Sequence, residues 1–176
     1  MEERIKKKRL VSILFEHLTP VFNEQGFKTL KSLGNGGFEL HKEGIRYRCL
    51  FRILSYFDFS LNFFLGIRFN TIEEIVLPYS NISVEGWKNS DTLTTSCLDL
   101  VGSTDIFGPY REIYEEKDIL AEIPTILTHM EQYIFPFFTT YSDIKLLNQM
   151  SNIDFYTEEK MGIGLFGGRE LRAIVI

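Results

Sequence analysis

Few residues of this chain combine the type and the spacing that chemistry requires. Gly162-Ile163-Gly164-Leu165-Phe166-Gly167 matches the glycine fingerprint of dinucleotide-binding turns. In such turns the glycines let the backbone approach a pyrophosphate at a helix N-terminus. The motif also needs a parallel strand before it, a long helix after it and an acidic residue about 20 positions on. Nine residues follow Gly167, too few for that helix and acid, so the run reads as a flexible loop. Gly34-Asn35-Gly36-Gly37 has neither the Lys-Ser or Lys-Thr pair nor the following helix of a phosphate loop. His17, His41 and His129 fall in different elements without a second ligand at metal spacing. Neither Cys49 nor Cys97 has a histidine near it in sequence, and the two read as buried free thiols. No catalytic, cofactor or metal residues are expected.

The charged residues are more informative. Arg46, Arg48 and Arg52 share one face of a strand, with Arg68 on the neighbouring strand. Guanidinium groups arranged so are suited to a carboxylate, a phosphate or an acidic protein surface. The competing reading pairs them with Asp58, Glu39 or Glu43 on adjacent strands. Lys6, Lys7, Lys8 and Arg9 carry no interleaved aromatics and read as a solvated helix face, not a nucleic-acid site. Glu112, Glu115, Glu116, Asp118 and Glu122 form an acidic counterpart. Residues 1–52 hold 11 Lys and Arg against 6 Asp and Glu, whereas residues 53–176 hold 8 against 18. The halves therefore carry +5 and −10, a split that either neutralises itself in the fold or marks faces for charged partners.

The elements that position these groups follow from periodicity. Ile5, Leu10, Val11, Leu14, Phe15, Leu18, Val21 and Phe22 recur at helical spacing, predicting an amphipathic helix over 2–25. Pro20 should kink or restart it, and Gly26 should end it. The segments 27–33 and 38–42 read as a hairpin. From Ile45 to Phe69 the odd positions are apolar and the even ones largely polar, predicting two strands with one buried face. A turn near residues 55–58 divides them, and keeping odd residues inside on both sides requires an odd-numbered loop or a bulge. Residues 71–76 read as a short helical turn ended by Pro78, 93–101 as a further strand, and 103–115 as a loop with an irregular strand. From Asp118 the period turns helical to about Tyr133, with Pro124 and Pro136 as punctuation. A second helix is expected over 142–150, capped by Ser142. A strand at 153–156 and a short helix from Arg169 complete the reading.

The chain is thus expected to be one α+β domain over 1–176: a helix over 1–25, mainly strands over 27–101, and a mainly helical part over 117–176. An antiparallel sheet of four to six strands should pack one face against the N-terminal and C-terminal helices. No run of 18 apolar residues suggests a membrane span, and with two free cysteines a cytoplasmic setting is expected.

Several features occur together: Gly26-Phe27-Lys28 closing a helix, Gly37-Phe38-Glu39-Leu40, and Ile67-Arg68-Phe69-Asn70-Thr71-Ile72-Glu73-Glu74-Ile75. Further on come Glu116-Lys117-Asp118-Ile119 and Phe135-Pro136-Phe137-Phe138. Together, over 4–75 and 115–170, they resemble a set of bacterial domain-of-unknown-function proteins, some of which look like toxin-immunity proteins. That resemblance implies a small cytoplasmic protein-binding module without catalytic residues. A basic protein partner such as a nuclease toxin is expected, met by the acidic segment, with no nucleic acid or membrane involved. The alternative is a small-ligand or anion-binding domain using the arginine-bearing sheet face. Oligomeric state is not legible.

Overall fold

A computed structural model describes residues 5–31, 36–55, 58–79, 83–102, 109–151 and 164–165. The chain opens with helix α1 (Lys7–Glu24), whose buried face is Leu10, Ile13, Leu14, Leu18 and Phe22. Pro20 neither breaks nor restarts this helix. It lies on the exposed side, and α1 runs on for four residues beyond it. The helix stops at Gly26, whose φ of +83° is open to glycine at little cost.

Strands β1 (Lys28–Leu30), β2 (Gly37–Lys42), β3 (Ile45–Ser55) and β4 (Phe59–Phe69) follow. All pair antiparallel with their neighbours in chain order. The β3–β4 register runs from Ile45 opposite Phe69 to Ser55 opposite Phe59, so the loop is the three residues 56–58. An odd loop keeps facing residues at equal parity. Tyr47, Cys49, Phe51, Ile53, Phe59, Leu61, Phe63, Leu65, Ile67 and Phe69 all lie in the core, and Ile45 at the strand end is half-buried.

Beyond β4 come α2 (Asn70–Val76), a 3-10 turn (Leu77–Tyr79), α3 (Val84–Asn89) and β5 (Leu93–Ser96). The strand expected over 93–101 stops at Ser96, which starts helix α4 (Cys97–Leu100). Ser96 Oγ accepts from the Asp99 N–H, and the Asp99 carboxylate accepts in return from the Ser96 N–H. Strand β6 (Tyr110–Ile113) pairs with β4 through a bulge, where Glu112 sits at φ 58° with its N–H donated to Asp58. Strand β7 (Gly164–Leu165) pairs antiparallel with β5. The sheet order is β1-β2-β3-β4-β5-β7, with β6 also on β4. Among the described residues six strands have three or more residues, and the seventh is the two-residue β7.

The helical part is α5 (Glu116–His129), a π-helical turn (Met130–Ile134), α6 (Phe135–Thr140) and α7 (Ile144–Ser151). Pro124 lies within α5, and Pro136 stands in the first turn of α6. At the start of α7 the Lys145 N–H is accepted by Asp143, while the predicted cap Ser142 donates to the Thr139 carbonyl instead.

Phenylalanines join helix to sheet: Phe22 stacks on Phe38 at 4.0 Å, Phe15 meets Phe51 at 5.1 Å, and Phe27 meets Phe138 at 5.4 Å. The α+β architecture and antiparallel sheet expected from periodicity are therefore present, with α1 and the C-terminal helices on the odd-numbered face. The other face is not left to solvent throughout, because the segment from α2 to β5 folds back over part of it. The expected strand at 153–156 and helix from Arg169 lie outside the described residues.

Candidate functional site

The even-numbered face of β3 and β4 carries all four arginines singled out above. Arg46 stands directly opposite Arg68, Arg48 opposite Gly66, and Arg52 opposite Asn62. Like charges directly opposed destabilise a sheet unless something lies between them. Here the covering segment supplies it. Asp91 sits over Gly66 and takes both Arg46, at 3.1 Å through Nη2, and Arg48, through Nε at 3.2 Å and Nη2. Arg46 also donates to the carbonyls of Lys88 and Ser90 at 2.6 Å each, and Arg48 to that of Asn89 at 2.6 Å. Arg68 donates to the carbonyl and hydroxyl of Ser90 at 3.0 Å and lies 3.7 Å from the fully buried Glu73. Glu73 in turn accepts from Thr92 Oγ1 at 2.7 Å, and that hydroxyl accepts from the Phe69 N–H.

Gly66 makes this closure feasible. A Cβ at that position would overlap the Asp91 carboxylate, so only a bare backbone lets the acid reach down between the guanidinium groups.

This arrangement commits most of the arginine face to partners within the chain. Arg46, Arg48 and Arg68 are buried, and their fork geometry is filled by Asp91, Glu73 and backbone carbonyls of the same chain. Pairing within the chain is what the competing reading held, but its named partners largely differ. Of Asp58, Glu39 and Glu43, only Glu39 comes near, its Oε2 3.9 Å from Arg46 Nε, a buried nitrogen without a hydrogen bond. Arg52 alone of the four is exposed, its guanidinium 5.1 Å above the ring of Phe64, which is itself exposed.

The acidic residues at the start of α5 are brought together by the helix they begin. Glu115 is the N-cap and Asp118 the third residue. The Asp118 carboxylate accepts from the N–H groups of Tyr114 and Glu115 at 2.9 and 2.8 Å, closing a reciprocal capping box. Glu116 is gripped through both oxygens by Arg9 of α1, and this contact lowers the Glu116 pKa and raises that of Arg9. Glu115 pairs with Lys117 at 2.5 Å. Beside these committed groups, Glu112 is exposed and Glu122 half-buried. The same corner presents Tyr114, 46% exposed, and Leu120, 42% exposed.

A further cluster had no signal in the sequence. Tyr110 of β6 hydrogen-bonds His129 Nδ1 at 2.8 Å and lies 3.7 Å from Cys97 Sγ. Burial lowers the His129 pKa, which favours the neutral ring, and Nδ1 shares one proton with the Tyr110 hydroxyl. Burial also pushes the Cys97 thiol up to about 11 and Cys49 well above its ordinary value. Neither thiol is a nucleophile near neutral pH, because the reactive thiolate is suppressed and the sulfur is enclosed. The three residues are 13 and 19 positions apart along the chain, and only the fold aligns them.

Within the glycine fingerprint, Gly164 and Leu165 lie in an antiparallel strand beside Thr94 and Leu93. A dinucleotide turn would instead follow a parallel strand into a helix. Among the described residues no cluster of His, Cys, Asp and Glu could hold a metal ion, and no helix is long and apolar enough to cross a membrane. No family model matches the chain, and neither a curated protein nor a solved structure shows significant similarity to it.

Proposed function

We propose that this chain is a non-catalytic, cytoplasmic protein-binding module that captures a basic protein, in the manner of an immunity-type inhibitor. The observation that carries the reading is the corner where β6 meets α5. There an exposed tyrosine and an exposed leucine, Tyr114 and Leu120, stand among Glu112, Glu115, Glu116, Asp118 and Glu122. Of these five carboxylates, Glu116 is paired with Arg9 and Glu115 with Lys117. A rigid aromatic anchor inside an acidic rim suits a basic partner: the ring supplies contact area at low entropic cost, and the charge speeds encounter. Two free, buried thiols suit a reducing compartment.

Glu115, Glu116 and Asp118 also hold the α5 cap and the α1–α5 link, so reversing their charge would disturb the fold together with the surface. Tyr114→Ala and the pair Glu112→Lys, Glu122→Lys probe the surface itself. The experiment is calorimetric titration with the purified product of the adjacent reading frame. We expect a complex that Tyr114→Ala weakens by about tenfold or more, a common loss for a buried aromatic anchor. A complex indifferent to all three substitutions, or no complex, overturns the proposal.

A further inference from the structure

Across the molecule from the acidic corner, a groove of about 300 Å³ opens between the end of α1, the hairpin end of β2 and β3, and α6. Its apolar wall is aromatic: Phe27, Tyr47, Phe135 and Phe138, with ring centroids of Phe138 at 5.4 Å from Phe27 and 5.8 Å from Tyr47. Its polar rim holds Tyr47, Lys42 and Ser142, whose hydroxyl is already donated to the Thr139 carbonyl. Among the described residues Lys42 is the one charged residue lining the groove, and no carboxylate lines it. Glu43, next in the chain, acts on the Tyr47 hydroxyl only from beyond the lining.

A second feature points to the same place. The π-helical turn Met130–Ile134 stands immediately before α6, the helix that brings Phe135 and Phe138 to the groove. Such turns insert an extra residue into a helix at a cost in regular hydrogen bonding and occur often at functional sites.

From these we infer that the groove is a binding site for a small monocyclic aromatic carboxylate. The ring would lie against Phe135 and Phe138 and the carboxylate against Lys42 and the Tyr47 hydroxyl. Size selects one ring, because about 300 Å³ is the lower end of the range for small-molecule sites. Charge selects an anion over the cation that an aromatic cage otherwise favours, because a lysine and no acid lines the wall. The inference is independent of the protein-binding proposal, which uses the opposite charge on a different surface.

The test compares three probes of nearly equal shape by calorimetry and by amide shifts in nitrogen-15 spectra of the full chain: 4-hydroxyphenylacetate, neutral 4-hydroxyphenylacetamide and cationic tyramine. We expect saturable binding of the carboxylate with Kd below about 1 mM and at least about tenfold weaker binding of the other two. Shifts should centre on Lys42, Tyr47 and Phe138. Lys42→Met should remove the preference for the anion, and Thr139→Trp, which fills the groove from an exposed helix position, should remove binding altogether. Both substitutions are on the surface, and unchanged far-UV circular dichroism and Tm establish that the fold is intact. Equal affinity for tyramine, binding that survives Thr139→Trp, or no saturable binding of the carboxylate overturns the inference.

Discussion

Replacing Asp91 by alanine should be among the most damaging single changes available on the outer face of this sheet. Its carboxylate lies between Arg46 and Arg48, and its removal leaves those guanidinium groups with the carbonyls of Lys88, Asn89 and Ser90, and Arg46 with the more distant Glu39. Three buried arginines face the buried acids Asp91 and Glu73, with Glu39 at the edge, so the substitution leaves one more positive charge uncompensated inside the protein. Removing one partner of a buried ion pair costs about 3–5 kcal/mol, mostly the penalty of the charge left behind. For a chain of this length that corresponds to a fall in Tm on the order of 6–20 °C. Asp91→Asn keeps the shape but not the charge and should fall between wild type and Asp91→Ala. Arg52→Ala, on the same face but exposed, should cost less than about 1 kcal/mol. The assay is urea unfolding followed by far-UV circular dichroism, with the three variants compared at one pH. A loss below about 1 kcal/mol for Asp91→Ala would refute the network as described and reopen the arginine face as a site for external anions.

Further outcomes follow from the core and its titratable groups. Phe63→Ala, at a fully buried position packed against Phe51 and Tyr110, should cost about 3–5 kcal/mol in the same assay, and a loss under about 1 kcal/mol would contradict the face assignment of β4. His129, facing Tyr110, Tyr133 and Glu122, has a folded pKa below the ordinary 6.5. The unfolded chain therefore binds the proton first, and stability should fall as pH drops from about 6.5 through the folded value, a slope that His129→Gln should flatten. Cys49 and Cys97 should react with a thiol reagent in the native protein only as fast as it opens, so rapid stoichiometric labelling at pH 8 would contradict their burial.

Much of this fold is legible because it is local. The alternation from Ile45 to Phe69 determines the two long strands, the face they bury and the parity of their loop, since one slipped residue would turn every odd-numbered phenylalanine outward. The start of α5 is legible for a similar reason, as its acids lie within four positions of one another. What escapes a linear reading is contact between distant segments. Asp91 is 43 residues from Arg48 and Glu116 is 107 from Arg9, so no spacing rule joins them. One trace of the closure was visible: Gly66 interrupts the side-chain pattern in mid-strand, the mark of a close approach by something else. The Cys97–Tyr110–His129 row leaves no such trace. Pro124, read as punctuation, is carried inside α5 on its exposed side, where tertiary packing outweighs local propensity.

The account rests most heavily on capture of a basic partner at the β6–α5 corner, and the association rate with the adjacent reading frame's product tests it most directly. Measured by stopped-flow fluorescence from low to high salt, the rate constant should start above about 10⁷ M⁻¹s⁻¹ and fall steeply as ionic strength rises, with Glu112→Lys, Glu122→Lys slower throughout. A rate that is independent of salt and unchanged by those substitutions would contradict electrostatic capture at this corner.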